Sequence, residues 1–149
     1  MIPVKTRGVL AAGLLTMISL SHADDMPNID GTWLSGDGDG WIDVTVTPAG
    51  LSGVIEGSAN ADEGRPDTDE KNPDPALRNR PLIGLQLFQG FDYAGNGRWT
   101  GGTIYDPNSG KTYRCIVTYV DHNTLKVRGY IGVSLLGRTE TWTRQQDLL

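Results

Sequence analysis

The side chains best suited to chemistry in this sequence are its arginines. Arg78 and Arg80 stand just ahead of a strand-like run, and Arg114, Arg128, Arg138 and Arg144 lie within or at the ends of others. A guanidinium presents a planar fork of donors that matches a carboxylate or phosphate. In the run 124–131, Leu125, Val127 and Ile131 alternate with Lys126, Arg128 and Tyr130. If the second set faces an interior, Arg128 and Tyr130, with Arg78 and Arg80, can hold an anionic headgroup. The other reading leaves Arg128 in solvent, or paired with an acid such as Asp69 or Asp74, and lets Arg78 and Arg80 pair with the long loop's own acids to lock it as a lid.

Other chemistries find fewer parts. Outside the first 23 residues His122 is the single histidine, and it sits in a turn-like stretch. One chain therefore offers neither a histidine-based triad nor a two-histidine zinc site. Cys115 alternates with Tyr113, Val117 and Tyr119 on one strand face, the setting of a buried thiol rather than a nucleophile. Asp67, Asp69 and Glu70 form an acidic run of the kind that is usually solvated. The stretch 35–43 places Asp37, Asp39 and Asp43 at calcium-loop offsets. Ser35 and Val46 occupy the positions where such a loop needs carboxylates, so a hairpin turn is expected instead. No metal, cofactor or catalytic set is expected, and the protein is read as a non-enzyme.

The elements that must position these residues are strands. Residues 41–47 alternate Ile42, Val44 and Val46 on one face, and 51–56 follow after a Pro-Ala-Gly turn. Further runs fall at 31–34, 82–88, 98–105, 111–120, 124–131 and 138–144. Asp106 opens the strong turn Asp106-Pro107-Asn108-Ser109-Gly110 between two of them. About eight strands joined by hairpin-length turns describe an all-β, up-and-down antiparallel barrel. The rhythm fails only at 57–81, far longer than a hairpin loop. Within it Asp74 caps a short helical turn begun by Pro75 and expected over 75–79.

Residues 1–23 read as a secretory leader: Lys5 and Arg7, an apolar run over 8–20, then Ser21-His22-Ala23 as a cleavage site. The apolar run is short of the roughly 20 residues of a membrane span. The expected product is a single domain, 24–149, periplasmic or secreted. The whole chain has 13 Lys and Arg against 18 Asp and Glu, a net charge of −5, and loss of Lys5 and Arg7 takes this to −7. Such a charge argues against a nucleic-acid partner.

Four segments, "NPDPALRNRPLIGL", "GGTIYDPNSGKTYRC", "LKVRGYIG" and "LLGRTETWTR", occur in this order. With them the chain resembles, from Gly31 to Arg144, the exported bacterial proteins of the domain of unknown function 2147 family. The resemblance implies a lipocalin-like (calycin-type) barrel and brings no activity with it. It departs at Pro48-Ala49-Gly50-Leu51-Ser52, where many such proteins carry a cysteine pair. It also implies that Trp33, in Gly31-Thr32-Trp33, packs at a closed barrel end against Arg144 of the last strand. The expected function is binding of a small apolar or amphipathic anionic ligand, with the long loop over one end. The alternative is an interaction module or inhibitor that meets an envelope protein through the acidic loop.

Overall fold

The computed structural model describes residues 25–59, 64 and 66–146. The expected leader, 1–23, lies outside the described residues, and most of the expected domain 24–149 lies within them. Among the described residues nine strands form: β1 Gly31–Leu34, β2 Gly40–Thr47, β3 Gly50–Ser58, β4 Phe88–Gln89, β5 Asp92–Gly95, β6 Arg98–Asp106, β7 Lys111–Asp121, β8 Thr124–Tyr130 and β9 Arg138–Arg144. All pairings are antiparallel, in the order β3-β2-β1-β9-β8-β7-β6-β4. β5 lies on the same edge of β6 as β4, opposite Arg98 to Thr100 where β4 opposes Thr103 and Ile104. The two short strands thus share one of eight positions around the ring.

Closure depends on the segment before β4. Leu87 donates its N–H to the Gly53 carbonyl at 2.7 Å, Ile55 to Leu85 at 2.9 Å and Gly84 to Ile55 at 2.8 Å. The last open edge of β3 is thereby paired, which removes a template for association. The continuous strand expected over 82–88 is not formed. Pro81 supplies no N–H, and the Leu85 N–H turns back to the Leu82 carbonyl, so 84–87 pair irregularly and regular geometry starts at Phe88. The helical turn expected over 75–79 is a three-residue 3₁₀ turn, Pro75–Leu77. Asp74 caps it by accepting the Ala76 N–H.

Alternation places one face of every strand inside. Trp33, Val44, Phe88, Phe91, Trp99, Cys115, Val117, Leu125 and Trp142 are all buried there. Phe88 stacks on Trp142 at 5.4 Å between centroids and meets Phe91 edge-on at 5.3 Å. Gly102 makes room for this group, because a Cβ on it would overlap the Phe91 ring. Arg144 closes this end. Its guanidinium lies 4.3 Å from the Trp33 ring centroid and donates to the carbonyls of His122, Asp30 and Asn28.

A cavity at the open end

The other end carries the turn 35–39, the long loop after β3, the β6–β7 turn and the loop 131–137, and here the side chains do not meet. A cavity of about 610 Å³ runs down to Trp142, with Ile42, Ile55, Leu87 and Ile104 as apolar walls. A second lobe of about 340 Å³ lies beneath the loop 131–137, against Tyr113, Val127, Gly129 and Leu136. Ile104, Asp106 and Glu140 belong to both lobes. Trp99, at 1 % exposure, is committed to the closed half, and Tyr113 flanks the second lobe without filling it.

The long loop is fastened to the rim by a buried carboxylate. Asp69 is fully buried, against the expectation of a solvated acidic run. Its Oδ2 accepts from Arg80 Nε and Nη2 and from Asn72 Nδ2, each at 2.8 Å, and its Oδ1 accepts the Tyr105 hydroxyl at 2.6 Å. Arg80 also lies 5.7 Å from the Tyr105 ring centroid. Burial, then the hydrogen bond to Asp69 and its charge, push the Tyr105 hydroxyl up to about 12; Asn72 and Arg80 oppose them. The loop closes over Gly110, where a Cβ would overlap the Lys71 carbonyl. Lys71 Nζ donates to the Asn108 carbonyl at 2.8 Å.

This placement redistributes the arginines. Arg80 is the partner of Asp69, and Arg78 donates from Nε to the Asn72 carbonyl at 2.8 Å. Arg128 is on the outer face, because Leu125 and Val127 take the interior positions of β8. It donates to the Ser134 carbonyl at 2.8 Å and to Thr139 Oγ1 at 2.7 Å, bracing the loop 131–137. None of these three lines the cavity; Tyr130 alone of the four expected ligand contacts does, in the smaller lobe. Asp106 holds its turn, accepting from the Asn108 N–H and the Ser109 hydroxyl, while also bordering both lobes.

Glu140 is the site residue that sequence reasoning passed over. Its Oε2 accepts from Trp142 Nε1 at 3.2 Å, and its Oε1 is 4.0 Å from Arg138 Nη2, whose side chain is 82 % exposed. The charge reaches the core: the Cys115 thiol is pushed up to about 12, mainly by burial and further by Glu140. A signal was present in "TETWTR". Glu140, Trp142 and Arg144 are two apart, so once Trp142 is assigned to the interior Glu140 follows it there. Among the described residues no group of three or more His, Cys, Asp or Glu is placed to hold a metal. No helix among them is long and apolar enough to cross a membrane.

A ring of eight antiparallel strand positions, packed at one end and hollow at the other, defines a lipocalin-like barrel. The chain belongs to the family described as "Uncharacterized protein conserved in bacteria (DUF2147)", whose model matches residues 31–144. Among solved structures it is similar to one described as "Protein HP1028 from the human pathogen Helicobacter pylori belongs to the lipocalin family". That match has a TM-score of 0.71 and 22 % identity, covering 80 % of this chain and 84 % of the other. No curated protein matches the chain.

Proposed function

We propose that this is an exported, non-enzymatic binding protein that takes the apolar part of a small amphipathic molecule into the open half of the barrel. The observation that carries this reading is the cavity of about 610 Å³ with its floor at Trp142 and aliphatic walls. Concave, mostly apolar sites with a few convergent polar groups are the usual form of small-molecule pockets. Export rests on the leader-like residues 1–23. A non-enzymatic role is supported by Cys115, which is fully buried with its thiol pushed up to about 12 and so is poorly suited to attack a substrate. The expected anionic anchors Arg78, Arg80 and Arg128 are engaged elsewhere, which turns attention to a ligand whose polar end is not an anion.

Native mass spectrometry of the protein purified from the periplasm tests the reading. A small molecule retained in the gas phase, and lost on replacing Ile55 with Trp to fill the cavity, is the expected result. An empty barrel from every preparation would count against it. The alternative, an interaction module, draws on a different observation: Ile131, Val133, Leu135 and Leu136 are 59 to 88 % exposed on one loop. An empty barrel carrying a stoichiometric envelope protein would favour that role.

A further inference from the structure

We infer that the cavity selects an amphipathic amine and that Glu140 receives its ammonium group; this rests on the binding role proposed above. Two carboxylates are common to both lobes, and their hydrogen bonding differs. Asp106 commits both oxygens to its turn, to the Asn108 N–H at 2.9 Å and the Ser109 hydroxyl at 2.7 Å. Among the described residues Glu140 has one hydrogen bond, from Trp142, and its Oε1 meets only the 4.0 Å approach of Arg138, which also borders the smaller lobe. An ionised carboxylate bordering an apolar cavity is stabilised by a charged donor more than by a neutral one.

Position favours the same assignment. Glu140 is two residues from Trp142 on one strand face, about 7 Å along β9 by the rise of an extended chain. A ligand whose alkyl chain rests on Trp142 and the walls Ile42, Ile55 and Leu87 therefore brings its head to the level of Glu140. The surrounding field has the sign that attracts a cation. Asp37, Asp39, Asp67 and Glu70 also border the larger lobe, where the single basic residue among the described ones is Lys71, bonded to the Asn108 carbonyl; the smaller lobe adds Arg138, whose side chain is 82 % exposed. A carboxylate or phosphate head at this level would meet like charge, which is an effective means of exclusion.

Three probes of equal chain length separate the possibilities: decylamine, decanol and decanoate, each titrated below micelle formation against the mature protein at neutral pH. Tryptophan emission, to which Trp142 contributes, or calorimetry gives the affinities. Decylamine is expected to bind about tenfold or more tighter than decanol, with decanoate weakest, the span of one charge-assisted hydrogen bond. Glu140→Gln should bring decylamine to within about threefold of decanol and leave decanol unchanged. The inference is overturned, with the binding role intact, if decanoate binds as tightly as decylamine. The same holds if Glu140→Gln weakens decylamine and decanol alike. Binding by none of the three would remove the binding role and the inference together. Should Glu140→Gln fail to fold, the rank order on the native protein decides alone.

Discussion

At the closed end of the barrel Trp33, Trp99, Phe88 and Phe91 are all at or below 1 % exposure, and Arg144 ties three carbonyls across the opening. At the open end Ile42, Ile55, Leu87 and Ile104 face space, and the covering is a long loop fastened through Asp69. The strands are the same in both halves. What differs is how the inward residues fill the space: Trp33, Trp99, Phe88 and Phe91 pack the closed half, while Gly129 and aliphatics such as Ile55 leave a hollow in the open one that Tyr105, Tyr113 and Trp142 border without filling. Stability is therefore concentrated away from the cavity. A barrel that keeps one half hollow forgoes the dispersion contacts that packing there would give.

The sharpest way to break this comparison is Trp33→Ala. Truncating a fully buried tryptophan should cost about 3–5 kcal/mol, seen in denaturant melts as one cooperative loss of the whole fold. Asp69→Ala acts at the other end and comes next, at about 2–4 kcal/mol, because it leaves Arg80, Asn72 and the Tyr105 hydroxyl without their shared acceptor. Its signature should be local: faster amide exchange over 66–82 with the strands β7 to β9 still protected. Uniform exchange throughout the barrel would show that the loop and the closed end are one cooperative unit, and the contrast drawn here would fail.

Arg144→Ala is expected to be milder, about 1–2 kcal/mol, since the guanidinium is partly exposed although it both stacks on Trp33 and bonds three carbonyls. A lowered melting temperature with an unaltered cavity would fit. An unchanged one would separate Trp33's packing from its arginine cap.

Much of this contrast was legible in the sequence, and the illegible part has a physical pattern. Strand alternation and turn residues placed β2, β3, β6, β7, β8 and β9 to within a residue or two. The family resemblance paired Trp33 with Arg144, and Asp74 caps as its neighbour Pro75 suggested. The misses cluster at charged residues whose surroundings are set by the fold rather than by their neighbours in sequence. Asp69 meets Tyr105, 36 residues away, so an acidic run looked solvated until the loop was folded back on β6. For Arg128 both an interior and a solvent-facing place were open, because assigning a strand's inward face requires knowing which side the neighbouring strands cover; Leu125 and Val127 occupy it, and Arg128 is outside. Glu140 was lost for the opposite reason, since a charge in a strand reads as outward even when its parity matches a buried tryptophan. The loop 131–137, with its 3₁₀ turn at Ser134–Leu136, had no signal beyond its apolar residues.

The smallest expected effect compares the two ends through their titrating groups. Cys115 belongs to the packed core and is raised from 9.0 to about 12, mainly by burial; Tyr105 belongs to the loop clasp and is raised from 10.0 to about 12, again by burial first. Both groups are neutral acids whose folded form holds its proton more tightly than the unfolded chain does. Their contribution is fully present below the unfolded values, and it is lost as pH rises from about 9 for Cys115 and about 10 for Tyr105 towards 12. Stability should therefore fall with alkaline pH, and the two ends should enter in order. Thermal melts between pH 8 and pH 11.5 of the native protein, Cys115→Ala and Tyr105→Phe resolve this by difference, because every other group is common to all three. Cys115→Ala should flatten the first part of the decline. Tyr105→Phe should flatten only the later part, and with it the alkaline loosening of the loop at 66–82. If Tyr105→Phe instead removed the decline from its onset, the clasp rather than the core would set the alkaline limit of the fold, reversing the order of strength assigned to the two ends.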